Sequence, residues 1–306
     1  MIAPNFTATH YGKWILAGEH SVLRGSPALA FPLKGLELEL KYWKSEKSLH
    51  VEFSGKHGEE LQLLFFGVLE KALENLKIDR GLIRGEVSLF NQIPIGAGLG
   101  ASAALCVAVS RWLGHLGYIP EKDHYEFSRN LENLFHGESS GVDIAVSLLG
   151  TGIRFLREGE KTPLRLNWQP QLYVSYTGKR GVTSECVAKV KALIAKDPDE
   201  GALIDYEMRR AVALCEKALC GKSLFEKEIK KPESEERVLK EALDLAQSCF
   251  DRWNLSSPPV RDHMKDLLMA GALSVKPTGS GDGGYVLSYW KDAPPDYLRS
   301  QLISCF

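Results

Sequence analysis

PIGAGLGASAALCVAVSRWL, residues Pro94 to Leu113, joins a glycine-rich loop directly to a long apolar segment with the look of a helix. Gly96, Gly98 and Gly100 let the backbone take positive φ angles and approach a ligand closely, while Ser102, Ala103 and Ala104 fall in the first helical turn. The free N–H groups of that turn, with the positive end of the helix dipole behind them, suit phosphate oxygens. A serine there also reaches a metal ion. Gly98 to Ser102 therefore reads as a nucleotide phosphate loop. Taken alone, such a loop is as often a turn that caps a helix and binds nothing. No G-x-x-x-x-G-K-[ST] string occurs in the chain, which excludes a Walker-type loop as the source of the site.

Two distant stretches carry matching chemistry: KWILAGEHSVLRGSPALA near the N-terminus and KPTGSGDGGYVLSYW near the C-terminus. The first ends a strand at Gly18 and puts Glu19 and His20 on the following loop; read alone, these are ordinary solvated loop residues. The second reads alone as a β-hairpin with a turn from Gly279 to Gly284. A fourth stretch, HGESSGVDIAV, follows a helix over Glu121–His136 with Phe127, Leu131 and Leu134 among its apolar positions. Gly137 and Gly141 break the chain there, and a new helix from Ser139 or Ser140 would hold Asp143 in its first turn, where an aspartate is usually a dipole partner.

Together these motifs resemble those of the GHMP small-molecule kinases, named for galactokinase, homoserine kinase, mevalonate kinase and phosphomevalonate kinase. Lys13, Gly18, Glu19, His20, Val22, Gly25, Pro27, Ala28, Leu29 and Ala30 occupy the positions of the mevalonate kinase pattern G-K-x-x-L-x-G-E-H-x-V-x-x-G-x-P-A-L-A. HGESSGVDIAV is similar to H-G-x-x-S-G-x-D-x-x-V, with Glu132 eleven residues before Asp143, and the C-terminal stretch is similar to K-x-T-G-x-G-x-G-G. The resemblance implies an α+β, two-domain fold, with a ribosomal S5 domain 2-like N-terminal part over 1–168, a ferredoxin-like α/β sandwich over 169–306, and an ATP cleft between them. It implies Asp143 and Lys13 as catalytic residues, Asp143 accepting the substrate hydroxyl proton and Lys13 stabilising charge on the attacking oxygen and γ-phosphate. Pro94, Gly96, Ala97, Gly98, Leu99, Gly100, Ala101 and Ser102 would hold ATP, Ser102 and Glu132 would bind Mg²⁺, and Glu19, His20, Thr278, Gly279 and Ser280 would meet the substrate.

Three positions depart from the pattern. Ala101 stands where many relatives carry the first of two serines, Tyr11 precedes Lys13 where P-G-K begins, and Asp282 takes a position that is often glycine. Ser21, Val22 and Leu23 follow Glu19-His20 in place of the sugar-reading G-E-H-x-D-Y stretch, which favours mevalonate, phosphorylated on its 5-hydroxyl, as acceptor. Phosphomevalonate or a sugar is the nearest alternative. A silent, metabolite-binding regulator would be expected to lose Lys13, Asp143, Glu132 or Ser102, and all four are present.

The 306 residues suffice for two ordinary domains, and 38 Lys+Arg against 39 Asp+Glu give no field for nucleic acid or an anionic membrane. The N-terminus has no secretory pattern and no apolar run reaches the length of a membrane span, so a cytoplasmic protein is expected. Six cysteines without paired spacing read as buried thiols. Residues 5–54 read as β-rich, 57–77 as a core helix around Leu61, Phe65, Val68 and Leu69, and GIRFLRE, PLRLNW and QLYVSYTG as extended runs. Helices follow TGKRGVT and cover about 201–220, 234–254 and 258–270, and PPDYLRSQLISCF reads as a closing helix. Arg180 and the threonines of TGKRGVT fit a turn and a substrate loop equally well, and the helical C-terminal surfaces are compatible with a homodimer.

Overall fold

The computed structural model describes residues 3–136, 139–221 and 234–306. Gly137 and Glu138, inside the HGESSG stretch, and the side chain of His136 lie outside the described residues. The chain gathers into two compact units, each assembled from separated stretches. Met1–Lys13, Pro32–Ile95 and Leu99–Gly150 form the first, and Trp14–Phe31, Gly96–Gly98 and Thr151–Phe306 the second.

In chain order the elements are β1 (Phe6–Ala17), β2 (Ala28–Ser48), β3 (His50–Ser54), α1 (Gly58–Leu76), β4 (Arg84–Asn91), α2 (Ala101–His115), α3 (His124–His136), α4 (Val142–Leu149), β5 (Ile153–Phe155), β6 (Lys161–Pro163) and β7 (Gln171–Tyr176). They continue with α5 (Thr183–Lys196), α6 (Pro198–Cys220), α7 (Glu235–Arg252), α8 (Pro258–Met269), β8 (Ser274–Thr278), β9 (Tyr285–Trp290) and β10 (Leu302–Ser304). The class is α+β, as the motifs imply.

The β-rich stretch expected over 5–54 forms two long strands, β1 and β2, and the short β3. Pro32 lies within β2 between the residues that pair with β5 (Ala28–Ala30) and those that pair with β4 (Leu38–Trp43), so its missing donor costs neither of these two ladders a bond. In the first unit β4 runs antiparallel to β2 and parallel to β3. The helix α2 is apolar all round, with Ala103 to Val109, Trp112 and Leu113 buried, so it is an interior helix and not an amphipathic surface one. The inward face of α3 carries His124, Ser128, Leu131 and Glu132, and Leu134 is 47% exposed. The expected apolar stripe is therefore corrected: α3 turns a partly polar face inward, where Ser110 Oγ meets His124 Nδ1 at 2.9 Å.

In the second unit β10, β7, β9 and β8 form an antiparallel sheet in that order. Val260 and Met264 of α8 pack on Val275, Val286 and Trp290. The expected closing helix is not formed. Only Asp296–Leu298 makes a 3-10 turn, and Leu302–Ser304 pairs with Tyr173–Ser175. The edge of β7 away from β9 offers backbone partners that a short isolated helix would leave unmet. Similarly, of the extended run PLRLNW only Pro163 is strand, at the end of β6: Leu164 N–H goes to Gly152 O, Asn167 N–H to Leu219 O and Trp168 Nε1–H to Ala218 O. Among the described residues no helix is long and apolar enough to cross a membrane. Cys106, Cys186, Cys215, Cys249 and Cys305 are buried and Cys220 is half-buried.

Deleting Leu302–Phe306 removes β10 and takes the Phe306 ring off Trp14 and Phe31, which it meets edge-on at 5.5 and 5.7 Å. The expected loss is about 2–4 kcal/mol by urea unfolding. An unchanged midpoint would show that this strand contributes nothing.

Candidate active site

The first unit brings Lys13, Leu99, Gly100 and Asp143 together. Lys13 lies on β1 with its side chain buried, and Lys13 Nζ is 3.1 Å from Asp143 Oδ2. Its backbone N–H donates to Leu99 O at 2.8 Å, which ties the end of the glycine loop to the strand. Gly100 has φ 79°, and a Cβ there would stand 2.8 Å from Lys13 Cγ and 3.6 Å from Asp143 Oδ2. Only glycine fits, because both the angle and the approach exclude a side chain. Gly100 is also the N-cap of α2, so no cap side chain occupies the N–H groups of a turn that begins Ala101-Ser102. That geometry suits an anion.

Asp143 is the second residue of α4, which starts at Val142 and not at the expected Ser139 or Ser140. The delay has a local cause. Gly141, at φ 82°, is the N-cap, and Ser139 and Ser140 turn their hydroxyls to the N–H groups of Gly141 and Val142. Ser139 Oγ also donates to Glu132 Oε2. Glu132 is 2% exposed, and its carboxyl is held well above the ordinary carboxylate range, first by burial and second by the Asp143 charge. The Ser139 bond, Lys13 and Arg129 oppose that shift. Two carboxylates thus share the neighbourhood of one lysine, which a divalent cation would balance.

The second unit holds the remaining candidates. Glu19 is buried and its Oε1 accepts a hydrogen bond from Lys276 Nζ at 2.5 Å, with side-chain exposures of 2% and 0%. Burial pushes the Glu19 carboxyl up and Lys276 pulls it down. Thr278 Oγ1 accepts Ile15 N–H at 2.8 Å and donates to Ile15 O at 3.0 Å. His20 takes the left-handed φ of 57°, and its Nε2–H donates to Ser280 O at 2.9 Å. Burial lowers its pKa to about 4, as it does for His10 in the first unit, whose Nδ1–H donates to Ser147 O at 2.9 Å. A neutral imidazole already engaged by a carbonyl holds the Gly279-Ser280 turn.

Gly96, Ala97 and Gly98, the first part of the glycine loop, also belong to this unit. Arg180 Nε donates to Gly96 O at 3.1 Å, and a Cβ on Gly284 would meet Ala97 O at 2.9 Å. Arg180 is therefore more than a turn residue: its guanidinium covers Gly96, where an added Cβ would clash at 2.1 Å. Asp282, at φ 58°, is tied to Lys179 at 3.3 Å and Lys189 at 2.5 Å, so the carboxylate at this usually glycine position is balanced by two lysines. Sequence reasoning missed Lys276, Ser139 and Lys189. Lys276 heads the third motif and carries a signal; the other two sit in ordinary helix or turn composition.

The sequence profile of the GHMP kinases N terminal domain matches residues 64–151. The mevalonate kinase of Pyrococcus horikoshii is 32% identical over 300 residues, covering 89% of this chain and 84% of that one. The chain belongs to the mevalonate kinase family. The fold is similar to that of L. major mevalonate kinase in complex with R-mevalonate, with TM-score 0.73, 21% identity and coverage of 98% of this chain and 92% of that one. It is also similar to Streptococcus pneumoniae phosphomevalonate kinase, with TM-score 0.68, 15% identity and coverage of 94% and 93%. Membership of the mevalonate kinase family makes the chain a phosphotransferase that uses ATP and an alcohol acceptor.

His10 and His20 set a pH limit on stability. Each is neutral in the fold to about pH 4 but protonates near 6.5 when unfolded, so below 6.5 the unfolded state binds more protons and stability falls as pH falls. From pH 7.5 to pH 5 the expected loss is about 2 kcal/mol per histidine. The His10→Gln, His20→Gln double variant should flatten that dependence in urea unfolding. An undiminished slope would show that neither histidine is its source.

Proposed function

We propose that the chain transfers the γ-phosphoryl group of ATP to the 5-hydroxyl of mevalonate, in the cytoplasm, where ATP is supplied. The observation that carries this reading is the Lys13–Asp143 pair packed against Gly100 at the mouth of an uncapped helix. Phosphoryl transfer needs charge neutralisation, an aligned hydroxyl and a destination for its proton, and little else from the protein. The backbone of Pro94 to Ser102 takes the nucleotide phosphates. Asp143 takes the hydroxyl proton on Oδ2 or orients the hydroxyl by accepting its hydrogen bond. Lys13 holds Asp143 in place and stabilises the negative charge that grows on the acceptor oxygen.

Ser102 and Glu132 would hold Mg²⁺. Hydroxyl and carboxylate oxygens suit this hard cation, and the shifted Glu132 carboxyl marks a place short of positive charge. Among the described residues no group of three or more His, Cys, Asp or Glu could hold a metal by itself, and Mg²⁺ bound largely through nucleotide phosphates needs none. The ion supplies charge neutralisation on the phosphates when bound. Glu19, His20 and Thr278 act on the acceptor through the loops they fix, because their side chains are engaged inside the protein; Gly279 and Ser280 present the turn.

With mevalonate as acceptor, Asp143→Asn should lower kcat about 10²–10⁴-fold while nucleotide affinity stays near wild type. Lys13→Met should fall in the same range. Near wild-type kcat in Asp143→Asn, followed by product NMR for the 5-phosphate, would remove Asp143 from the chemistry.

A further inference from the structure

The family pattern H-G-x-x-S-G-x-D takes Ser140 as its serine and leaves position 139 open. In this chain the open position makes the contacts. Ser139 Oγ donates to Glu132 Oε2 and accepts Gly141 N–H at 3.0 Å, and Ser139 N–H donates to Asn133 Oδ1 at 2.9 Å. Ser139 is 6% exposed and Glu132 2%, so water does not compete strongly for the bond. Ser140 Oγ, by contrast, receives Val142 N–H at 3.4 Å, which serves the helix end. A single hydroxyl therefore joins the carboxylate on α3 to the glycine that opens α4, two residues before Asp143.

We infer that Ser139 is a positioning residue for the metal-binding carboxylate: its hydroxyl fixes the rotamer of Glu132 and links it to the start of the Asp143 helix. The inference rests on the assignment of Glu132 to Mg²⁺. An ionised carboxylate has about four acceptor positions, so one hydrogen bond from Ser139 leaves oxygen sites for the cation while removing the freedom of the side chain. Outer partners of this kind orient a ligand, and their loss typically weakens metal binding about 10–100-fold. Because Ser139 Oγ also accepts from Gly141, a shift of either carboxylate-bearing element is felt by the other.

The test is Mn²⁺ binding to the full chain with a non-hydrolysable ATP analogue, read from the EPR signal of free Mn²⁺, with thermal unfolding to check that each variant folds. Ser139→Ala should weaken Mn²⁺ about 10-fold or more, and Ser139→Thr, which keeps the hydroxyl, should bind near wild type. Ser139→Cys, close in volume with a weak donor, should fall between them and decides the matter if the alanine variant does not fold. Weakened binding in Glu132→Gln with unchanged binding in Ser139→Ala would overturn the inference and leave the Glu132 assignment intact. Unchanged binding in both would overturn both. Equal weakening in Ser140→Ala would show a general disturbance of the turn and would also overturn it.

Discussion

The interaction around which the first unit's candidate site is built is the Lys13–Asp143 ion pair. A lysine Nζ 3.1 Å from a carboxylate, with side-chain exposures of 7% and 25%, is held in one place only if the segments behind both ends are fixed. Lys13 is fixed by β1 and by the Leu99 carbonyl that receives its N–H. Asp143 is fixed by the start of α4, and Gly100 lies against both side chains with no room for a Cβ. Removing either charge would leave the other partly buried without its partner, which is costly in a low-dielectric setting. The glycine loop, the lysine and the aspartate are thus one constraint, although they lie at widely separated positions in the chain.

The second unit solves a parallel problem with a different pair. Glu19 and Lys276 are both buried, and their bond, with Lys276 Nζ 5.3 Å above the Phe250 ring, joins the loop after β1 to the strand that leads into the third motif. His20 extends the tie to Ser280 in a backbone conformation that non-glycine residues seldom take. Such strain persists where surrounding contacts over-determine it, and here the imidazole is held between the Ser280 carbonyl and the rings of Phe250 and Trp253. The motif letters G-E-H and K-x-T-G are the two halves of this lock. Their first effect is on loop shape.

Much of this was legible in the sequence because the relevant physics is local or motif-borne. Positive φ at Gly96, Gly98 and Gly100 follows from the composition of the loop, and the interior position of α2 from an apolar run without an opposite polar face. What stayed hidden depends on distant partners. Nothing near Leu302–Ser304 announces that β7 has an open edge, so this short amphipathic run reads as a helix in sequence alone. Leu134 is exposed while Glu132 faces inward, where the Ser139 hydroxyl, Lys13 and Arg129 favour a carboxylate that burial and Asp143 oppose. Asp282 was legible as an oddity among glycines, but its balance by Lys179 and Lys189 required the folding of three separate segments together.

The most direct test of the function is ADP release with Mg²⁺-ATP over mevalonate, phosphomevalonate, galactose and homoserine. Strong turnover with mevalonate and little with the other three is the predicted result. Turnover with one of the others and none with mevalonate would contradict the acceptor assignment, and nucleotide binding without turnover on any would contradict the kinase reading itself.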